Sequence, residues 1–363
     1  MEMSSVMEVH NTERVDMHEQ QLARTDNTGL LRNVENESYG NGGPGTLRYL
    51  RREEWPTIWD KLVDISPQGS PFVRSWWLQA VGGTVEILGY FKGGSLLAGI
   101  PLYSEKRLGV TVYTMPKLTQ TLGPVLAPSG GRQVAAIWQE MEVLSAFAKE
   151  LSRFRIFFQA FHPSLHNWSP FYWNGFSQTS RATQVVDLSV PDKLCERMAK
   201  GARRHIRKAE RNGISIEPCG PEELWRAEEK SFSRQGMKVP HSVEYLRALN
   251  HAAQANHAGG CFAALDRERR MHCACFIVWD HNRAYTVASG ADPELRDSGA
   301  HSLLTLHLAR LASEHSPVLD FAGSMLQPVE LFLRSFGAAQ ISYNWIMKFP
   351  RSIKLYLTLQ GKL

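Results

Sequence analysis

Cationic side chains are concentrated in one short segment of this 363-residue chain, and their chemistry suits the binding of anions. Between Arg197 and Arg211 there are seven Lys and Arg residues and one acidic residue, Glu210. Small apolar residues recur there every three or four positions, and Asn212-Gly213 follows, which predicts a helix with a thin apolar stripe. Cations clustered on a helix repel one another, so water or an anionic partner must surround them. The segment therefore indicates either a solvated face or a phosphate site for a tRNA backbone, coenzyme A, or the diphosphate of a nucleotide-sugar or lipid-linked acceptor.

A second anion site is indicated by the turn from Asp292 to Gly299. It joins a predicted strand, residues 283–289, to a predicted helix, residues 302–313. The first N–H groups of a helix lack intrahelical acceptors and favour negative charge. Arg296 and Gly299 in this turn suit a phosphate, since glycine permits close approach of the backbone. An ordinary connection between a strand and a helix is the alternative interpretation.

The elements that must position these residues follow one order twice. In the first half, apolar spacing predicts helices at 53–62 and 70–81, a hairpin of strands 85–91 and 96–103, a helix at 133–151 and a strand at 155–161. In the second half it predicts helices at 221–233 and 242–255, and a hairpin of strands 261–265 and 271–279. The strand and helix named above, a strand at 318–321 and a helix at 329–338 follow. The sequence therefore predicts a duplicated α/β (α+β) architecture.

Several strings resemble FemAB-like and BioF2-like acyltransferases, which are tandem members of the GNAT superfamily. Asp320-Phe-Ala-Gly-Ser324, Phe332-Leu-Arg-Ser-Phe-Gly337-Ala and Tyr343 are similar to the C-terminal signature of that family. The basic segment 203–213 is similar to the family's basic helix, and 70–77 and 120–124 match more loosely. The resemblance covers about the last 300 residues. It implies two tandem GNAT-like domains, each a mixed sheet flanked by helices.

The resemblance also implies which residues bind substrates. Arg296 and Gly299 fit part of the pyrophosphate motif Q/R-x-x-G-x-G/A, although His301 stands at its last small position. These two residues are the expected contacts to acyl-CoA, the donor substrate. Arg204, Arg207 and Lys208 are the expected phosphate contacts on the basic helix.

For catalysis, the resemblance directs attention to Arg334, Tyr343 and Asp320. Direct attack of an amine on a thioester needs a base, a group that stabilises the oxyanion, and an acid for the leaving group. Arg334 suits developing negative charge and Tyr343 suits proton donation, while Asp320 would orient Arg334 or cap the backbone. Leu333 stands where the family often has a lysine, which argues against aminoacyl transfer. Tyr285 and His301 are further candidates for acid and base.

Composition sets the remaining expectations. The length predicts more than one domain, and we divide the chain into a disordered arm (1–45), a first GNAT-like domain (46–190), and the basic helix with a second GNAT-like domain (191–363). The five cysteines form no CxxC pair, so we expect free thiols and no metal. There is no run of 18 apolar residues and no signal-peptide pattern. We therefore expect a cytoplasmic protein with no integral membrane contact.

Taken together, the sequence predicts an N-acyltransferase. It would move an acyl group from acyl-CoA to an amine on a sugar, a polysaccharide or a cell-envelope precursor. An aminoacyl-tRNA-dependent FemAB-type transferase is the alternative, with tRNA as the second choice of partner. A non-catalytic anion-binding module with a degenerate GNAT fold is a further one. A protein that binds nucleic acid through the basic helix is disfavoured, because no aromatic residues interleave its cations, and no DNA partner is expected.

Overall fold

A single mixed sheet runs through the protein in the computed structural model, which describes residues 45–107, 109–130, 133–323 and 327–350. The predicted disordered arm lies outside these residues, except for Gly45. The first half contains β1 (Thr46–Tyr49), α1 (Asp60–Ile65), α2 (Ser75–Ala80), β2 (Thr84–Lys92), β3 (Ser95–Arg107), β4 (Val110–Thr114), β5 (Val125–Leu126), α3 (Gln133–Leu151), β6 (Phe157–Ala160), α4 (Ser169–Trp173) and β7 (Ser177–Asp187).

The second half continues with the same kinds of element. It contains α5 (Leu194–Arg197), α6 (Lys200–Arg211), β8 (Ser215–Pro218), α7 (Pro221–Ser233), α8 (Val243–Ala255), β9 (Gly259–Leu265), β10 (Met271–Trp279), β11 (Ala284–Ala291), α9 (Ala300–Ser313), β12 (Val318–Asp320), α10 (Gln327–Arg334) and β13 (Ala339–Lys348). The mixed sheet flanked by helices confirms the predicted fold class. Among the described residues, no helix has both the length and the apolar content needed to cross a bilayer.

Most predicted elements are present, with three kinds of difference. The predicted helix 53–62 is a 3-10 turn, a π turn and α1 in succession, and the predicted helix 70–81 is interrupted by extended backbone at Arg74. The basic helix is also divided, because Met198 and Ala199 are extended between α5 and α6. Strands β1, β4, β5, β7, β8 and β13 were not predicted. Strands β7 and β13 are rich in polar residues, which hides the apolar alternation that marks a strand.

The two halves exchange strands at the centre of the sheet. The order is β1-β2-β3-β4-β6-β13-β7-β12-β11-β10-β9-β8, with β5 paired to β3. Strand β7 of the first half pairs with β12, and β13 of the second half pairs with β6. Each half therefore completes the sheet of the other. The domain boundary at residue 190 stays a prediction. One hydrogen-bonded sheet contains strands from both sides of that boundary.

Helices cover both faces of this sheet. On one face, α1, α2, α7 and α8 share one apolar core, in which Phe72 of the first half lies 4.7 Å from the ring of Tyr285 in the second. We call this the shared face. On the other face, α3 and α4 cover the first half, while α6, α9 and α10 cover the second in a separate core. We call this the outer face. The shared core joins the halves because it removes aromatic surface of both from water.

Candidate active site

Strands β11 and β12 separate soon after they meet, and this opens a wedge in the second half. The two parallel strands pair only at Ala284 with Leu319 and at Tyr285 with Asp320, whereas β11 continues to Ala291. The register of β10 against β11 skips Val287, so β11 bulges just beyond this point. A bulge bends its strand and frees backbone groups from the ladder. The wedge is therefore an opening in the sheet with backbone donors and acceptors along its edge.

The first half has no equivalent opening in its described residues. Strands β4 and β6 are also parallel and pair at Tyr113 and Phe157. The chain after β4 then folds back along β6, where the Leu122 N–H donates to the Ala160 carbonyl at 3.0 Å. The Leu122 side chain is fully buried. The chain itself thus occupies the space that stays open in the second half.

The predicted donor residues lie at the mouth of the wedge, beside the basic helix. Gly299 has a φ of 85° and begins α9, and a Cβ there would be 2.2 Å from the His205 carbonyl oxygen of α6. The Lys208 ammonium donates to the Asp297 carbonyl at 2.6 Å. Arg296 is exposed and lies 4.0 Å from the Asp297 carboxylate. The structure therefore brings Arg296, Gly299 and Lys208 together, and the glycine is required by its contact with α6.

His301 lies inside the wedge on the outer face, and it is partly buried. Its Nε2 is 3.3 Å from the Ser289 hydroxyl of β11, and its ring centre is 5.0 Å from that of Phe332 of α10. Burial lowers the pKa of the imidazole to about 4. His301 therefore stays neutral near pH 7 and retains a nitrogen lone pair.

Helix α6 presents a row of cations to solvent. Its buried residues, Ala202, Ile206 and Ala209, form one side of the helix. Four cations recur every three or four residues on the opposite side: Lys200, Arg204, Arg207 and Arg211. Within the described part of the chain, none of their side chains has an ion pair or a hydrogen bond. Of the predicted phosphate contacts, Arg204 and Arg207 thus face outward, whereas Lys208 holds the turn.

A buried polar cluster lies at the closed end of the wedge, on the shared face. The Asp320 carboxylate is fully buried and accepts hydrogen bonds from Arg283 Nη1 at 2.9 Å, Gln120 Nε2 at 3.3 Å and the Ala322 N–H at 2.8 Å. The Thr183 hydroxyl donates to the same carboxylate. Burial raises the pKa of Asp320, although Arg283 opposes this shift. Asp320 thus caps the local backbone and pairs with Arg283.

Two tyrosines and one histidine border this cluster. Tyr343 of β13 is buried, which raises the pKa of its hydroxyl. Tyr285 is more deeply buried, and its hydroxyl has no hydrogen-bond partner among the described residues. Burial, followed by the nearby Arg283 charge, lowers the pKa of His162 to about 3. The cluster therefore combines two protonated phenols with a neutral imidazole.

Arg334 lies apart from the cluster, at the end of α10. Its guanidinium contacts the Glu330 carboxylate at 2.7 Å and the Gln340 side chain, and it is about half exposed. Leu333 beside it is buried in the core of the outer face. The structure thus brings Asp320 and Tyr343 to one site and leaves Arg334 in a local surface network. Whether Arg334 acts in catalysis stays a prediction.

Sequence reasoning did not identify Arg283, Thr183 or Gln120 as site residues. Gln120 lies in the loosely matching string 120–124, which was the one available signal. The others come from separate elements that only the exchanged strands bring together. The five cysteines are free thiols, as expected, and burial raises the pKa of Cys273 and of Cys275. The described residues contain no group of His, Cys, Asp and Glu side chains that could hold a metal ion.

This geometry agrees with sequence comparisons. Residues 196–324, which include α6, the wedge and Asp320, match the family model described as "Acetyltransferase (GNAT) domain". Residues 196–324 form a GNAT-type domain. No curated protein sequence matches the chain significantly.

Solved structures show that the GNAT-type fold extends over most of the chain. FemX is 13% identical with a TM-score of 0.61, covering 82% of this chain and 96% of its own. A tandem GNAT protein from the clavulanic acid biosynthesis pathway is 12% identical with a TM-score of 0.50, covering 83% and 98%. A conserved protein of unknown function from Bacteroides thetaiotaomicron is 11% identical with a TM-score of 0.51, covering 84% and 99%. At these identities the likeness shows the fold alone, which is a tandem GNAT arrangement.

Proposed function

We propose that the protein is an N-acyltransferase that transfers an acyl group from acyl-CoA to an amine. The observation that carries the proposal is the wedge between β11 and β12, with its bulge at Val287 and the start of α9 at its mouth. A thioester carbonyl in the wedge would accept a hydrogen bond from the β11 backbone. Such a preorganised donor stabilises the oxyanion that forms during acyl transfer.

The donor's phosphates would lie at the turn that contains Arg296 and Gly299. The N–H groups of the first turn of α9 attract anions there, and Arg296 is exposed and can form paired hydrogen bonds with phosphate oxygens. Lys208 supports the turn through the Asp297 carbonyl. The side chains of Arg204 and Arg207 face away from the wedge. They would contact substrate phosphates that lie farther from the wedge than the turn does.

The chemical step forms a C–N bond and breaks a C–S bond. The amine attacks the thioester carbonyl, the resulting tetrahedral intermediate expels the thiolate, one proton leaves the nitrogen and one reaches the sulfur. His301 is suited to accept the first proton because it is neutral. Tyr343 is suited to supply the second because burial keeps its hydroxyl protonated. Asp320 would hold Arg283 and the end of β12 in place between them.

The acceptor would bring its amine to the side of the wedge on which His301 lies. We propose an amine on a sugar, a polysaccharide or a cell-envelope precursor, as the family resemblance implies. No metal takes part in this scheme. Arg334 would contribute to catalysis only if substrate binding separates it from Glu330 and Gln340.

Calorimetry with acetyl-CoA at physiological salt tests the donor. We expect saturable binding to the wild type and weaker binding to Arg296→Ala. Arg247→Ala is the matched control, because Arg247 is an exposed arginine paired with Glu222 at 2.6 Å on another helix. Turnover of acetyl-CoA with an amine panel should fall in His301→Ala and in Tyr343→Phe. Full turnover in both variants would contradict their roles.

An aminoacyl-tRNA donor is the second candidate, and the outward row on α6 favours it. Four unpartnered cations extend about 16 Å along the helix, which suits a polyanionic backbone better than a single diphosphate. Binding of aminoacyl-tRNA but not acetyl-CoA would support this candidate over the first. Binding of neither would contradict both and favour an anion-binding module without activity.

A further inference from the structure

A hydrogen-bonded chain of three side chains, which we call the Asp–His–Ser relay, supports the turn before α9. Asp266 Oδ2 is 3.2 Å from His272 Nε2, and His272 Nδ1 is 2.9 Å from the Ser298 hydroxyl. Asp266 and His272 are buried, with 8% and 6% of their surfaces exposed. Ser298 is half-buried in the turn itself. The relay therefore links the β9–β10 hairpin to the residues expected to meet the donor.

The charge of Asp266 fixes the direction of these hydrogen bonds. Although burial alone would raise its pKa, hydrogen bonds from Arg270 and His272 lower it to about 2. An ionised carboxylate only accepts, so in the tautomer that pairs with it His272 donates its Nε2–H to Asp266. In that tautomer Nδ1 accepts a hydrogen bond from the Ser298 hydroxyl. The lone pairs of Ser298 stay available to the backbone.

Ser298 also contacts the first residue of α9, one position beyond the N-cap residue Gly299. Its hydroxyl oxygen accepts the Ala300 N–H at 3.2 Å, so one of the unpaired donors of the first turn is satisfied and fixed in direction. The backbone of the same loop is tied as well, since the Asp292 N–H donates to the His272 carbonyl at 2.8 Å. Side chain and backbone of His272 therefore both hold the segment from Asp292 to Ser298.

We propose that His272 is a positioning residue for the donor, acting through Ser298 on the turn that receives its phosphates. This proposal rests on the proposed function. It assigns the relay a supporting role, in which the Ser298 hydroxyl keeps its proton, donates a hydrogen bond to His272 Nδ1 and forms no covalent bond. A donor without phosphates would not depend on His272.

The test compares two donors in His272→Phe, which keeps an aromatic ring but loses both hydrogen bonds. We expect the KM of acetyl-CoA to rise about tenfold, in keeping with the loss of a buried hydrogen bond. S-acetylpantetheine, which lacks the diphosphate, should keep its KM. His272→Gln retains amide hydrogen bonding and should recover part of the loss. His307→Phe is the matched control, since His307 is a partly buried histidine of α9 outside the relay.

Hydrogen–deuterium exchange tests the relay without any donor. We expect residues 292–303 to exchange faster in His272→Phe and in Ser298→Ala than in the wild type. Ser298→Ala removes only an oxygen and so provides the test if His272→Phe does not fold. Faster exchange in a protein whose wild type does not bind acetyl-CoA would contradict the proposed function while supporting the relay.

Three results would overturn the positioning role. Unchanged exchange in both variants would show that the relay does not hold the turn. Equal losses with acetyl-CoA and S-acetylpantetheine would indicate general damage to the enzyme. Covalent labelling of Ser298 by a fluorophosphonate probe would identify it as a nucleophile, activated by His272 and Asp266.

Discussion

At the scale of single residues, burial keeps the side chains of His162 and His301 neutral. His162 and His301 both have lowered pKa values, about 3 and about 4, because their rings are removed from water. A neutral imidazole in the fold becomes charged in the unfolded chain at mildly acidic pH. These residues therefore couple folding to pH as well as contributing neutral groups to the site.

We predict that stability falls on acidification and that His162 contributes to the fall. Between its unfolded pKa near 6.5 and its folded pKa of about 3, the unfolded chain binds more protons at His162 than the fold does. Stability is therefore fully present above pH 6.5 and is lost as pH falls, at up to about 1.4 kcal/mol per pH unit. Urea unfolding of His162→Gln should show a shallower pH dependence. His251→Gln, an exposed control on α8, should match the wild type.

A second prediction at this scale concerns Gly299. Its positive φ and the 2.2 Å approach to the His205 carbonyl leave no room for a side chain. We expect Gly299→Ala to lower the free energy of unfolding by roughly 1–3 kcal/mol. Gly201→Ala is the control, because its Cβ would meet open space on α6, and we expect no loss of stability there. Equal stability of the two variants in urea would contradict the contact between α6 and the turn.

Helix α6 has a buried side that packs against the core and an opposite side that presents cations to solvent. Its small buried residues pack against α9, and its outward cations have no partner among the described residues. Removing those cations breaks no visible contact. Their effect should therefore be seen in binding rather than in folding.

We predict that Arg204→Ala combined with Arg207→Ala changes unfolding free energy by less than about 0.5 kcal/mol. The same variant should bind tRNA or heparin more weakly, and the slope of log K against log salt should decrease in magnitude by about 1.4 to 1.8, or 0.7 to 0.9 for each lost phosphate contact. Fluorescence anisotropy across a salt series measures both effects. Arg247→Ala is again the control. An unchanged slope would identify the cationic row as a solvated face.

The exchanged strands make the whole molecule one folding unit. Strand β6 is completed by β13, and β12 is completed by β7, so each half lacks a strand when isolated. The shared core adds to this dependence, since Phe72 packs on Tyr285 across the halves. The site lies where these interactions meet.

We therefore predict that residues 46–190 and 191–363 do not fold separately. Each fragment should show weak near-ultraviolet circular dichroism and no cooperative thermal transition, because an unpaired central strand exposes its backbone groups. Co-expression of the two fragments should restore both signals. A cooperative transition in either fragment alone would show that the exchange is dispensable for folding.

The sequence by itself predicted the elements with strong apolar periodicity. The helices at 133–151 and 221–233 match α3 and α7, and the hairpins match β2–β3 and β9–β10, because the helices carry apolar residues at helical spacing and the strands are apolar runs bounded by turn residues. It also predicted the turn between β11 and α9 that contains Arg296 and Gly299, whose contact with a donor stays a prediction. Those patterns involve residues close together in the sequence, so the sequence alone is enough to predict these elements.

The tertiary structure alone determined how the site is assembled. Asp320, Gln120, Thr183 and Arg283 come from positions up to 200 residues apart, and no spacing in the sequence relates them. The polar strands β7 and β13 bring them together by crossing between the halves. Strand pairing depends on backbone hydrogen bonds to a partner strand, and residue types do not specify that partner. Once the strands are paired, burial shifts the pKa of the titratable groups between them.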